Sequence, residues 1–339
     1  MRVLICEDST TYAAVLSHAI RADTDFAVPA VCHTAEEAIA LLPRMKPDIV
    51  TMDMELPGMS GLEAIEHIMT AHPVPILLLS SNAHRDTAAA LAAGALDAIG
   101  KADLNLTDAG GPAAVSFRRR LKILAGARVI RHPRGRLKPG VTATGRTRAA
   151  SVIGICASTG GPQALESMLS RLPAAFPIPV LVVQHIAAGF TDGLVRWLDG
   201  AIAPPVRTAA PMTDIGPGVW IAPEGAHLVL RASGRLAVDS SAAAGPHRPS
   251  GDVLLRSLAA TAGSRAVGVV LTGMGCDGAG GLEAIRQAGG LTIAQNETSS
   301  VVFGMPRAAA DKGAELVLPP TEIGDALRAL VPAGRPIPV

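Results

Sequence analysis

Aromatic residues are scarce: five Phe, two Trp and one Tyr among 339 residues. So few rings cannot build the stacking platform on which single-stranded nucleic acid is held. Neither sign of charge is in excess, with 30 Lys and Arg against 29 Asp and Glu, so the chain lacks the basic footprint of a nucleic-acid binder. Cysteine is sparse and scattered. Cys6, Cys32, Cys156 and Cys276 form no C-x-x-C pair and have no His at metal-ligand spacing, which argues against a zinc site or a disulfide framework. Long apolar runs are missing as well. The stretch 177–183 is strand-sized, well short of the ~20 residues that cross a bilayer. The N-terminus turns acidic at Glu7 and Asp8 before a signal-peptide core can form. The expectation is a cytoplasmic protein with no membrane insertion and no nucleic-acid partner.

What is abundant is small aliphatic material. Hydrophobic residues make up 49% of the chain and charged residues 17%, enough apolar side chain for a core in each of about two domains. Strand-like runs alternate with helical stretches from the start. Val3 to Cys6, Phe26 to Cys32, Asp48 to Met52, Pro75 to Leu79 and Leu96 to Ile99 read as strands, each followed by a helical pattern. Five βα units in 1–120 predict one parallel sheet covered on both faces. The stretch 121–150 is rich in Arg, Gly, Pro and Thr and reads as a basic flexible linker, a solvated tether with an anionic docking site as the alternative. At Ser151 the alternation restarts, predicting a second, mostly parallel, doubly wound α/β domain over 151–335. Within it, Val219 to Ala222, Ala226 to Arg231 and Arg235 to Asp239 read as antiparallel pieces, the last two forming a small hairpin around Ser233-Gly234.

Chemistry-bearing side chains fall where these strands end. In an open parallel sheet the carboxyl ends of the strands converge on the ligand crevice. In the first domain Glu7, Asp8 and Asp53 fall there. Three acids together repel unless a cation neutralises them, and oxygen-only ligands with positions left for water and phosphate suit Mg²⁺. Ser80 ends the fourth strand and Lys101 follows the fifth, adding a hydroxyl and a fixed positive charge. The set fits acceptance of a phosphoryl group, although singly Asp8 fits a helix cap, Ser80 a turn and Lys101 the surface. The segment Pro47-Asp-Ile-Val-Thr-Met-Asp53-Met-Glu-Leu-Pro57-Gly58-Met-Ser-Gly61 resembles the phosphorylation segment of response-regulator receiver domains. That resemblance implies a flavodoxin-like (βα)5 fold, phosphorylation of Asp53 by a partner histidine kinase, and Mg²⁺ held by Glu7, Asp8 and Asp53. The chain departs from the family at Ala98, where an aromatic ring is usual, and at Ala102, where Pro is usual.

In the second domain, Cys156-Ala-Ser158-Thr159-Gly160-Gly161-Pro162 runs from a strand through a tight turn into a helix. Pro162 suits a first helical turn, and Ser158 would sit beside the backbone N–H groups of the coming helix. A helix N-cap or a phosphate-binding loop fits this segment as well as a nucleophile does. His185 ends the next strand, placed for a general base or for a structural role. Asp277 lies in Gly273-Met274-Gly275-Cys276-Asp277-Gly278, placed to orient an imidazole or to cap a turn. The order Ser, His, Asp is not that of α/β-hydrolases, and neither a dinucleotide fingerprint nor a P-loop is present.

Taken together, the receiver, the linker, Ala-Ser158-Thr-Gly-Gly-Pro, Gln184-His185 and Leu-Thr-Gly-Met-Gly-x-Asp277-Gly resemble the CheB family of chemotaxis methylesterases. Ala188-Gly-Phe190-Thr191, Ala222-Pro-Glu-Gly225-x-His227 and Gln295-Asn-Glu-x-Ser299…Gly304-Met-Pro306 extend the resemblance over essentially the whole chain. It implies Ser158 as nucleophile, His185 as base, Asp277 as its orienter, and backbone donors for the oxyanion around Thr159 and Met274. It further implies no cofactor for ester hydrolysis, methylated chemoreceptors as substrate, deamidation of glutamine as a related activity, and a chemotaxis histidine kinase as phosphodonor. A receiver-linked binding module, a DNA-binding response regulator and a small-molecule serine hydrolase are the rival classes. The first needs no triad, the second needs a basic recognition helix, and the third has no use for a phosphorylatable domain.

Overall fold

The computed structural model describes residues 1–81, 86–127, 150–240 and 247–331. They fall into two compact units, each taken by itself. Most of the expected linker, 128–149, and the residues beyond 331 lie outside the described residues.

In the first unit, β1 (Arg2–Cys6), β2 (Ala27–Cys32), β3 (Ile49–Asp53), β4 (Ile76–Ser80) and β5 (Asp97–Gly100) alternate with α1 (Thr10–Arg21), α2 (Ala35–Met45), α3 (Gly61–Ala71), α4 (Asp86–Ala93) and α5 (Pro112–Ala125). The strands pair in parallel in the order β2-β1-β3-β4-β5, the expected flavodoxin-like arrangement. Every residue of β3 and β4 is buried, as a parallel sheet covered on both faces requires. The helices begin close behind the strand ends. The Ser9 and Thr34 hydroxyls accept from the Tyr12 and Glu37 N–H groups, and Ser60 and Glu63 cap each other reciprocally. Each such cap contributes about 1 kcal/mol. Helix α5 runs past the expected boundary at residue 120, because Phe117, Leu121 and Leu124 keep one face of it buried. Charge density had marked residues that helical spacing holds in the domain.

The second unit contains β6 (Val152–Ala157), α6 (Gly161–Leu169), β7 (Val180–Gln184), α7 (Thr191–Ala201), β8 (Val206–Thr208), β9 (Val219–Ile221), β10 (His227–Leu230) and β11 (Leu236–Asp239). These are followed by α8 (Gly251–Ala262), β12 (Ala266–Val270), α9 (Ala279–Gln287), β13 (Leu291–Gln295), α10 (Met305–Asp311), β14 (Leu316–Leu318) and α11 (Pro320–Arg328). Seven strands form one parallel sheet in the order β14-β13-β12-β6-β7-β9-β8. Strand parity divides the core between its faces. Ile153, Ile155, Val180 and Val182 enter one apolar cluster, while Val152, Cys156, Leu181 and Val183 enter the other.

The antiparallel expectation is corrected in one place. Val219 to Ile221 pairs in parallel with both β7 and β8, and among the described strands only β10 and β11 form an antiparallel ladder. A three-residue apolar run carries no local mark of its direction, and the equally short β8 shows no period at all.

Candidate active site

The acidic pocket forms at the carboxyl ends of β1 and β3. Carboxylate oxygens of Glu7, Asp8 and Asp53 all lie within 4.8 Å of one another. The Lys101 ammonium reaches in from the turn after β5, 2.7 Å from Glu7 and 2.8 Å from Asp53. Asp8 is exposed and does not cap α1, a role taken by Ser9. Lys101 is not a free surface residue, and its ammonium lies 4.9 Å from the centre of the Tyr12 ring. Burial, with the Asp53 charge adding to it, pushes the Glu7 carboxyl up against the pull of Lys101. Burial alone would lower the Lys101 pKa, but its bonds to Asp53 and Glu7 outweigh that and hold it above the usual value. Buried carboxylates that outnumber their one ammonium are a donor set short of positive charge, and oxygen ligands of this kind fit Mg²⁺. Ser80 is buried at the end of β4.

In the second unit, β6 and β7 run side by side with Ala157 opposite Gln184. Ser158 and His185 are therefore the next residues off two adjacent strand ends. The His185 N–H donates to the Ala157 carbonyl. The Gln184 amide donates to the carbonyls of both Ser158 and His185, at 2.8 Å each. The sequence singled out Gln184 without a role; in the structure it ties the two strand ends together.

The loop after β12 closes on the same end of the sheet. The Ser158 N–H donates to the Thr272 carbonyl at 3.0 Å, and a Cβ placed on Gly273 would fall 2.6 Å from that of Ser158. Ser158 is not a helix cap. Gly160, at φ +73°, occupies the N-cap position of α6, and no side chain caps that helix. Beyond it the peptide groups of α6 begin, beside Ser158. The Met274 N–H makes no hydrogen bond among the described residues.

His185 Nε2 lies 2.9 Å from Asp277 Oδ2. Asp277 does not cap α9, whose N-cap is Gly278. Its Oδ2 also accepts from the Gly251 N–H at 2.6 Å, and its Oδ1 from the Ser250 hydroxyl at 2.8 Å and the Asp252 N–H at 3.0 Å. The start of α8, where unpaired N–H groups and the helix dipole favour an anion, is aimed at this carboxylate. Burial works to raise the Asp277 pKa. The His185 bond, the two backbone N–H groups and the Ser250 hydroxyl outweigh it and hold the carboxyl well below its usual value. At the other side of the imidazole, Nδ1 is buried without a hydrogen-bond partner, and no hydrogen bond joins His185 to Ser158 in this structure.

Sequence reasoning missed the Ser250–Asp252 cradle. Its signal, a Ser ahead of an apolar helix, reads as an ordinary N-cap, which Ser250 also is, accepting from the Val253 N–H. Beneath the cradle, Cys156 is fully buried. A Cβ on Gly251 would meet its Sγ at 2.4 Å, and one on Gly278 at 3.1 Å.

Comparison with known proteins covers both units. Residues 153–327 match the CheB methylesterase family and residues 3–106 the response regulator receiver domain. The chain is 43% identical over 337 residues to protein-glutamate methylesterase/protein-glutamine glutaminase 2 of Anaeromyxobacter dehalogenans, covering 97% of each. It is 41% identical over 295 residues to the protein-glutamate methylesterase FrzG of Myxococcus xanthus, covering 86% of each. Among solved structures, the Thermotoga maritima CheB methylesterase catalytic domain aligns at TM-score 0.52 and 38% identity, over 54% of this chain and 99% of that one.

Proposed function

We propose a function from one premise: the chain belongs to the CheB methylesterase family and carries a response regulator receiver domain on its N-terminal side. It hydrolyses glutamate methyl esters on chemoreceptors to protein glutamate and methanol, and deamidates glutamine by the same acyl chemistry. Phosphorylation of the receiver raises the rate, as chemotactic adaptation within a two-component system requires. The observation that carries the chemistry is the His185–Asp277 pair, with its second ring nitrogen buried and unpartnered, and with His185 and Ser158 the next residues off the adjacent ends of β7 and β6.

The assignment of protons follows from that pair. Asp277 is an acceptor, so Nε2 carries the hydrogen, and Nδ1 is left with the lone pair. Nδ1 takes the Ser158 hydroxyl proton as Oγ attacks the ester carbonyl. The carbonyl oxygen becomes an oxyanion within reach of the backbone N–H groups around Thr159 and Met274. Collapse expels methoxide, which leaves as methanol with the proton from Nδ1, and the glutamyl group remains on Ser158. Water then gives its proton to Nδ1 and attacks the acyl carbonyl, and Ser158 leaves with that proton. Asp277 stays ionised throughout, because its four donors hold its pKa low. It orients and stabilises the imidazolium without taking its proton.

In the receiver, Asp53 accepts the phosphoryl group of a chemotaxis histidine kinase. Glu7, Asp8 and Asp53 are the residues that would hold Mg²⁺, which supplies positive charge to the phosphoryl oxygens when bound. Lys101 and Ser80 receive the transferred group with an ammonium and a hydroxyl. The test is methanol release from methylated receptor membranes with and without a small phosphodonor. Release that rises with donor supports the reading, and no release in either arm overturns it.

A further inference from the structure

The stretch that begins at His247 meets the proposed catalytic pair twice. Three residues on, Ser250, Gly251 and Asp252 bind the Asp277 carboxylate. His247 itself lies against His185, ring centroids 4.3 Å apart and planes inclined by 16°. One short segment therefore supports both the carboxylate and the face of the imidazole.

A ring anchored at Nε2 alone keeps a freedom that catalysis cannot tolerate. The Asp277 bond fixes one corner of the imidazole, and the backbone bonds of His185 fix its Cα. Neither determines the tilt of the ring plane, and the tilt decides where the Nδ1 lone pair points. A flat partner parallel to the ring fixes that tilt. We propose that His247 is a positioning residue of the esterase, which holds the plane of the His185 imidazole and offers its own π face to the imidazolium formed when Ser158 loses its proton. The inference rests on the assignment of His185 as base.

Charge supports this arrangement. Two protonated imidazoles at this distance would repel, so the partner must be neutral when His185 takes the proton. Burial first, and then the neighbouring His185, lower the His247 pKa, with Asp277 opposing. His185 and Asp277 are the ionisable groups that act on it. His247 itself is exposed, while the His185 side chain it covers is only 12% exposed, so a neutral ring stacked on the forming cation adds the modest stabilisation of an accessible site. That interaction exists only after proton transfer, so it belongs to the transition state and should appear in kcat and not in KM.

The test uses the full-length protein. kcat and KM for methanol release are measured beside the rate at which a fluorophosphonate probe labels Ser158, a readout of nucleophile activation independent of the receptor. In His247→Ala, kcat and the labelling rate should both fall about fivefold at unchanged KM. His247→Phe, which keeps the ring without the ionisable group, should recover both to within about twofold. Thermal midpoint and phosphoryl uptake at Asp53 should not move. Unchanged kcat in His247→Ala, a loss carried by KM, or a loss that Phe does not recover each overturn the positioning role. His185→Gln in the same assay separates this from the underlying assignment. If that variant keeps wild-type labelling, the base itself is misassigned. If it is inert while His247→Ala is normal, only the positioning role falls.

Discussion

Asp53 is the last residue of β3 and Asp277 lies in the loop between β12 and α9; both belong to strand-to-helix connections of a parallel sheet, and their surroundings are opposite. Asp53 lies beside two more carboxylates and shares one ammonium with Glu7. Asp277 lies among donors, with two backbone N–H groups, a hydroxyl and an imidazole on its two oxygens. The first site is short of positive charge and open to a cation and a phosphoryl group. The second is saturated, so its carboxylate has no lone pair left for chemistry of its own. What an aspartate in such a strand-to-helix connection does is decided by how many donors its neighbours supply. In this chain those neighbours come from residues far away in sequence.

The largest expected effect isolates the esterase side of this contrast. Ser158→Ala should lower methanol release by roughly 10⁴-fold or more, and leave phosphoryl uptake at Asp53 intact by radiolabel incorporation. Asp277→Asn removes the charge but not the shape, and should fall short of that loss by at least about tenfold. If the two variants were equally inactive, Asp277 would be doing more than orienting.

The receiver arm sharpens the comparison from the other side. Asp53→Ala should abolish both label incorporation and the response to donor, while basal methanol release stays at the wild-type rate. Label persisting in that variant would mean that another carboxylate accepts phosphate, and the distinction between open and saturated sites would fail.

Two smaller effects probe the saturation itself. Ser250→Ala removes one Asp277 donor and the α8 cap together. It should cost about 1 kcal/mol in chemical denaturation and slow turnover by about tenfold, the worth of one hydrogen bond to a charged group. The depressed Asp277 pKa fixes the sign of the pH dependence. A carboxyl whose folded pKa lies below its unfolded value stabilises the fold above the unfolded value, and that contribution is lost as pH falls through the folded one. The stability gap between wild type and Asp277→Asn should be constant down to about pH 5 and narrow below about pH 4. A gap that widened with acid would contradict the donor cradle.

The two sites were not equally legible in the sequence. Glu7, Asp53 and His185 announce themselves because short apolar runs end abruptly in ionisable side chains, and that pattern survives in a single sequence. The doubly wound order could be inferred because βα alternation leaves few alternatives. The partners of Asp277 could not be foreseen. Ser250 looks the same whether its helix points at solvent or at a carboxylate 27 residues away. The parallel direction of β9 was hidden for a related reason, since pairing with β7 is fixed by a connection and leaves no trace in three residues.

Cys156 sets a limit on how this enzyme can change. Its sulfur fills the space under the Asp277 cradle against which Gly251 and Gly278 are bare, so three positions distant in sequence divide one small volume. Burial and the nearby carboxylates keep the thiol protonated, so what that volume needs from residue 156 is bulk and not reactivity. A larger residue at 156 would lift the first turn of α8 from the carboxylate. A side chain at 251 would require a smaller one at 156. Gly278, at φ +88°, is held to glycine by its backbone as well as by space, so descendants of this chain that vary residue 156 or 251 should vary the two in concert, conserving their joint volume.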